Sequence, residues 1–301
     1  MLGPNGAGKT TTILMMLGLT EPTQGTAMVC GLEASKSPIN AKKKIGYMPD
    51  NVGFYENMTA LENLAYIGQL NGMSASQAQK EAIEMLDLVG LGKETHKKTG
   101  TYSRGMKQRL GLAEVLIKKP EVIILDEPTL GIDPSGVKDF LALIKQLSKQ
   151  QQLTVLLSSH HLHHVQQVCD RVGIFVQGKL LAQGDIATLS QHLFGKNGHI
   201  VNLNFATKNA ENEHLEALKT NFPAVTAYQI AHNQVTLNCT HHITPNLVRF
   251  FVEKGYDIEG VSQKEYGLDD IYEKYFDNVL IDPTKNEKSN TIFKRSFFKK
   301  K

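Results

Sequence analysis

The residues Gly3-Pro4-Asn5-Gly6-Ala7-Gly8-Lys9-Thr10 fit the spacing G-x-x-x-x-G-K-[ST], in which a glycine-rich turn wraps phosphate oxygens and then opens a helix. The glycines let the backbone curl until successive N–H groups converge, and Lys9 adds a cation at the same spot. The apolar run TTTILMMLGL at 10–19 reads as a helix starting where the loop ends, so its positive end faces the same way as the loop. A loop of this kind normally hangs from a buried strand, which points to an α/β sheet with the loop at the strand's carboxyl end. Only Met1 and Leu2 stand before it. Losing a central parallel strand would cost several kcal/mol against a stability of roughly 5 to 15. The expectation is therefore that Met1 is an internal methionine and that the native protein carries further N-terminal residues.

Further along, VIIL at 122–125 and LTVLL at 153–157 are continuous apolar runs closed by polar residues, the pattern of strands buried on both faces of a parallel sheet. Between them GVKDFLALIKQLSKQ sets Val137, Phe140, Leu141, Ile144 and Leu147 at helical spacing, giving a strand-helix-strand crossover. TAMVCG at 26–31 reads as another strand, and AKKKIG at 41–46 as the solvated approach to one. Residues 54–118 are helical by pattern. MTALENLAYIGQL opens on Thr59 with Glu62 three residues on, a capping box, and SASQAQKEAIEMLDLVGL repeats the device. RVGIFVQGKLLAQGD at 171–185 reads as a hairpin turning at Gln177-Gly178-Lys179.

These pieces organise the chain as an α/β domain over 1–195 with a mainly parallel sheet and a helical insertion. After the linker FGKNG, residues 199–276 alternate strand-like (HIVNLNF, NQVTLNC) and helical (NEHLEALKTNF, TPNLVRFFVEKG) pieces, an α+β accessory domain. The basic end, 277–301, reads as a disordered solubilising tail, with contact to anionic lipid as the weaker alternative.

The segment VIILDEPTLGIDP delivers Asp126 and Glu127 at the carboxyl end of a buried strand, the edge at which open parallel sheets hold ligands. Two adjacent carboxylates there can divide the work, Asp126 holding Mg²⁺ through water while Glu127 faces an attacking water. LLSSHH ends the next strand with His160 at the same edge. His160, His161, His163 and His164 raise the question of a metal, because 160, 163 and 164 would share a helix face; a solvated helix surface is the simpler reading. Met15, Met16 and Leu17 read as core.

In order, these segments resemble the nucleotide-binding subunit of an ABC transporter: a Walker A stretch at 3–11, a signature segment YSRGMKQRL at 102–110, a Walker B at 122–127, a D-loop LGID at 130–133 and a switch histidine in SSHHLHHV. The likeness spans roughly residues 1 to 190, and GLDDIYEKYF at 267–276 is similar to the segment closing many exporter-type ATPases that carry a C-terminal accessory domain. YSRGM and GYMPDN are similar to ATPases encoded with copper-processing or multidrug permeases.

The resemblance implies a P-loop NTPase fold that takes ATP with Mg²⁺. Gly3 and the N–H groups from Asn5 through Gly6, Ala7, Gly8 and Lys9 to Thr10 would surround the β- and γ-phosphates, with Lys9 as a point charge, the Thr10 hydroxyl as a Mg²⁺ ligand and Thr11 near the α-phosphate. Glu127 would be the general base and His160 the group that stabilises the γ-phosphate. Ser103 and Gly105 would act in trans, capping the γ-phosphate held by a second ABC ATPase subunit in a head-to-tail dimer. Asp50 stands where the family usually has a glutamine that meets Mg²⁺ or water and couples to the permease. Arg104 replaces the first glycine of the signature and would add a cation near the partner's nucleotide.

No apolar run reaches the roughly 18 to 20 residues of a membrane-spanning helix, so a membrane role would be borrowed from a separate permease chain. A formal charge of +3 with 21% charged residues gives no argument for nucleic acid as a partner. Cys30, Cys169 and Cys239 are scattered without a C-x-x-C, which fits a reducing cytoplasm. The expectation is an ATP-hydrolysing subunit at the cytoplasmic face of the cell membrane that powers an exporter. The second reading, prompted by the short N-terminus, Asp50 and Arg104, is a regulatory or assembly subunit with little turnover. A soluble ABC ATPase of translation or DNA repair is disfavoured by the single cassette and the absence of a long coiled-coil insertion.

Overall fold

A computed structural model describes residues 1–194, 199–206 and 212–281; of the expected linker FGKNG, Phe194 ends a helix and 195–198 lie outside the described residues, and of the expected disordered tail from 277, residues 277–281 are helical and the rest lies outside the described residues. The chain forms two compact units, residues 1–181 and 182 onward.

In the first unit, α1 (Lys9–Met16) follows the glycine-rich loop, and β3 (Ile45–Met48), β4 (Val122–Asp126) and β5 (Thr154–Ser158) form a parallel sheet in that order. The register pairs Met48 with Leu125, Leu125 with Leu157, and Asp126 with Ser158, so the three carboxyl ends finish level. Ile123, Ile124 and Leu125 are buried because helices cover the sheet, and Ile13 and Leu17 pack with Ala41, Ile45 and Ile124. The crossover is α6 (Pro134–Gln150), whose Val137, Phe140, Leu141, Ile144 and Leu147 are all buried, as their spacing requires.

The place expected to be short of a strand is occupied by residues 1–3. Leu2 makes parallel bridges to both Ser159 and Ile174. Its N–H donates to the Gly173 carbonyl at 2.8 Å, and its own carbonyl accepts from the Phe175 N–H at 2.7 Å. The sheet thereby continues into β6 (Val172–Val176) and β7 (Lys179–Gly184), a hairpin turning at Gln177 and Gly178 with φ of 49° and 77°. The Met1 amine donates to the Leu157 carbonyl at 2.6 Å, and burial lowers its pKa. Beside Met1, a cavity of about 370 Å³ opens between residues 153–157 and 168–171.

Two local readings change. TAMVCG is not one strand but part of a tight hairpin, β1 (Met28–Val29) against β2 (Leu32–Glu33), because Cys30 and Gly31 both take positive φ, 50° and 75°, and reverse the chain. In AKKKIG the approach to β3 is helical: Lys42, Lys43 and Lys44 form the last turn of α2 (Pro38–Lys44), and the strand starts at Ile45. Pro38 has the φ that a first helical position needs, and the lysines meet the negative end of the helix dipole.

The helical insertion comprises α3 (Ala60–Leu70), α4 (Ala75–Leu88) and α5 (Arg104–Leu116). The Thr59 N–H donates to Glu62 Oε2 at 2.7 Å, and the Glu62 N–H donates back to Thr59 Oγ1 at 3.2 Å, so the capping box is complete. These bonds to the Thr59 backbone and hydroxyl hold the Glu62 carboxyl below its ordinary pKa.

In the second unit, β8 (His199–Phe205), β9 (Val225–Ala231), β10 (Gln234–Cys239) and β11 (Ile258–Glu265) form an antiparallel sheet of order β11-β8-β10-β9, with α9 (Asn212–Asn221) after β8 and α10 (Thr244–Glu253) after β10. This is the split β-α-β arrangement. Alternate positions Val201, Leu203, Phe205, Val235, Leu237 and Cys239 share a core with Leu218, Leu247, Phe251 and Tyr256. Helices α8 (Ile186–Phe194) and α11 (Leu268–Ile281) flank this part of the chain, and Phe194 stacks on Tyr266 at 3.7 Å between ring centroids.

The capping box gives a direct test of how the insertion is held. Thr59→Ala removes the acceptor for the Glu62 N–H and is expected to cost about 1 kcal/mol, read as a lowered thermal midpoint, whereas Thr59→Asp keeps an acceptor and retains most of it.

Candidate functional site

The loop at 3–8 is shaped by two positions that admit nothing larger than glycine. A Cβ at Gly3 would collide with the Phe175 carbonyl, and Gly8, the residue before α1, has a φ of 92° with the Gly178 Cα only 3.3 Å from where its Cβ would be. The Ala7 N–H turns back onto the Pro4 carbonyl at 3.2 Å, so this N–H braces the loop and does not face the cavity as the sequence suggested. Lys9 is 6% exposed, and its ammonium donates to the Gly3 and Pro4 carbonyls at 2.7 and 3.2 Å. A carboxylate oxygen of Glu127 lies 3.5 Å from it. These groups border a cavity of about 250 Å³ walled by residues 5–11, Asp50, Asp126 and Glu127. The phosphate-binding candidates from Asn5 to Thr11, the Ala7 N–H excepted, and all three candidate Mg²⁺ ligands thus border one space.

The two adjacent acids have different surroundings. Asp126 is 3% exposed and accepts from the Thr10 hydroxyl at 2.8 Å and the Ser158 hydroxyl at 2.5 Å, one on each oxygen. Ser158 was not singled out from sequence; its place in the LLSS strand end, in register with Asp126, was the available signal. Glu127 takes a φ of 46°, a left-handed conformation that a side chain makes costly, and its N–H donates to the Ser158 carbonyl at 3.0 Å. Its Oε2 lies 2.9 Å from His160 Nδ1, while its buried Oε1 has no hydrogen-bond partner. Glu127 thus combines a left-handed backbone with an ion pair to Lys9 and a contact to His160.

The remaining candidates separate. Ser103 precedes α5 and accepts from the Met106 N–H at 3.3 Å; neither it nor Gly105 belongs to the cavity wall. Arg104 turns into its own chain, donating through Nε to the Leu130 carbonyl at 3.2 Å and through Nη2 to the Asp50 carbonyl at 2.9 Å. The histidines do not share one helix face, because the helix after β5, α7 (Leu162–Val168), begins after His160 and His161. His163 contacts Gln167 at 2.8 Å, whereas His164 faces the Thr129 hydroxyl at 3.4 Å and packs on the His161 ring. Burial, then the neighbouring His161, His163 and His160, push the His164 pKa down. No group of three or more His, Cys, Asp or Glu is placed to hold a metal among the described residues. The oxygens of Thr10, Asp126 and Asp50 instead suit Mg²⁺ arriving with phosphates, a cation that takes one or two carboxylates and keeps its other ligands from substrate and water.

The family model for the ABC transporter matches residues 1–130. The bacitracin transport ATP-binding protein BcrA of Bacillus licheniformis is 37% identical over 276 residues, 91% of this chain and 86% of that protein. The linearmycin resistance ATP-binding protein LnrL of Bacillus subtilis is 42% identical over 195 residues, 65% of this chain and 62% of that protein. The fold matches that of cbiO1 from Clostridium perfringens, part of the ABC transporter complex cbiONQ, with a TM-score of 0.58 at 24% identity, over 74% of this chain and 82% of that one. With its glycine-rich loop, paired acids and His160 at one sheet edge, the chain belongs to the ABC transporter ATP-binding protein family, whose members are ATPases coupled to transport.

Proposed function

We propose that this ATPase drives export through a separate membrane permease, with Glu127 activating the attacking water. The observation that carries the assignment is the buried Glu127 carboxylate, its Oε1 paired with Lys9 at 3.5 Å without a hydrogen bond while the other oxygen rests on His160. Lys9, now on two carbonyls and Glu127, transfers to the β- and γ-phosphates when the triphosphate enters the loop. That move frees Glu127 to accept a proton from water attacking the γ-phosphorus. His160, in contact with Glu127, orients the acid and stabilises the γ-phosphate as charge builds. Thr10, Asp126 and Asp50 would hold Mg²⁺, which neutralises charge on the phosphate oxygens when bound. Ser103 and Gly105, which lie off this cavity, suit a role at the nucleotide of a second subunit, so that one chain carries half of each site.

The names of the relatives, transport of bacitracin in one and resistance to linearmycin in the other, support export over import. Among the described residues no helix is long and apolar enough to cross a membrane, which agrees with work at the cytoplasmic face beside a permease. Glu127→Gln in the full chain is expected to lower steady-state ATP hydrolysis by about 100-fold or more while a fluorescent ATP analogue still binds. A wild-type chain that binds the analogue without turnover would favour the regulatory reading instead.

The histidine row adds a pH signature. His164 has a folded pKa below its ordinary value of 6.5, so the unfolded chain takes up its proton first as pH falls. Its contribution is fully present above 6.5 and is lost as pH drops from there through the lowered folded value. Thermal midpoints measured from pH 7.5 to 5 should fall more steeply for the wild type than for His164→Gln.

A further inference from the structure

Arg104 holds three segments that the proposed mechanism uses separately. It is the first residue of α5, directly after Ser103. One carbonyl it binds belongs to Asp50, in the loop that leaves β3 and walls the phosphate cavity; the other belongs to Leu130, three residues past Glu127. The stem crosses Gly131, where φ is 76° and a Cβ would sit 3.5 Å from Arg104 Cγ. Gly105 adds a second approach, since a Cβ there would meet the Ile132 methyl at 3.7 Å.

We infer that Arg104 is a positioning residue, a strap that fixes the Ser103 segment to the Asp50 loop and to the turn after Glu127 so that the three move together. The chemistry favours arginine because Nε and an Nη lie along one edge of a rigid plane and can serve two carbonyls at once. A lysine ammonium carries the same charge on a single point and cannot reproduce that edge. A displacement of Glu127 or Asp50 by nucleotide therefore reaches Ser103, the residue offered to the second subunit. This role rests on the proposed function for its consequence, but not for the strap itself. It differs from the sequence reading of Arg104 as a cation near the partner's nucleotide, because two of its donors serve carbonyls of its own chain.

The test uses the full chain with Arg104→Gln and Arg104→Lys, each checked for an unchanged melting profile. Amide hydrogen exchange at 48–53 and 128–133 should quicken by about threefold or more in both variants, with residues 9–16 unaffected. In ATP hydrolysis, kcat should fall roughly three- to tenfold in both while KM for ATP stays within about twofold. Unchanged exchange in both segments overturns the strap. Wild-type kcat in Arg104→Lys overturns it in favour of charge alone, and a rise in KM matching the loss of kcat makes Arg104 a nucleotide contact. If the wild type shows no turnover the motor reading fails, and the exchange measurement still decides the strap. Should Arg104→Gln melt early, Arg104→Lys, which keeps the charge and the stem, carries the test.

Discussion

The site is organised around one ammonium group, Lys9 Nζ, almost fully buried and held by the Gly3 and Pro4 carbonyls with Glu127 close by. A charge in that position is stable only if polar partners replace the water it loses. Carbonyl dipoles supply part of that replacement, and Glu127 supplies an opposite charge. The arrangement holds the cation, yet it leaves Glu127 Oε1 without a hydrogen bond and its backbone in the left-handed region. In the proposed reaction a triphosphate gives Lys9 stronger partners and releases the acid, an exchange for which the free chain already holds both groups. Asp126 differs because both of its oxygens accept hydroxyl donors, from Thr10 and Ser158, which leaves it fixed while its neighbour is not.

That exchange needs the carboxyl ends of several strands at one height. The parallel register of β3, β4 and β5 provides it, setting Asp126 opposite Ser158, with residues 1–3 bonded between Ser159 and β6 so that the loop emerges at the same level. In a parallel sheet, one slipped pairing in β4 would rotate Asp126 and Glu127 to opposite faces from those they now take. The buried run from Ile123 to Leu125 resists such a slip because both faces are packed.

Much of this was legible in the sequence, and for identifiable reasons. Continuous apolar runs announced β4 and β5, helical spacing announced α6, and the loop, the acid pair and His160 followed from their positions at strand ends. The capping box at Thr59 and the hairpin at Gln177-Gly178 were legible because each depends on residues within a few positions of one another. What escaped depended on contacts distant in the chain. Ser158 matters only because of its register with Asp126, and Thr129 only because α7 brings His164 to it. The hairpin at Cys30 was hidden because cysteine is seldom asked for a positive φ. The helix α2 was hidden by its three lysines, which look like surface until Pro38 is read as a first helical residue. In the second unit, β9 and β11 gave weak signals because edge strands of a sheet covered on one side bury few residues.

Arg104 shows why a motif position cannot be given a role from its charge. Read in line with the signature, it faces a neighbour's nucleotide; folded, two of its five N–H donors serve main-chain carbonyls of its own chain. The difference is geometric. The start of α5 lies against the turn after Glu127, with Gly105 close to Ile132 and the arginine stem across Gly131, so a side chain of that length meets its own backbone first. What α5 then has left for the proposed contact with a second subunit is its positive end, the N–H groups after Ser103 that no helical carbonyl can reach. The body of α5 is buried, with Gly111 against Met48 and Val115 against Gly46 of β3, whereas its first turn, from Arg104 to Lys107, is only partly covered. A planar bridge to the two loops bordering the phosphate cavity holds that turn, and ties it to the state of the chain's own site.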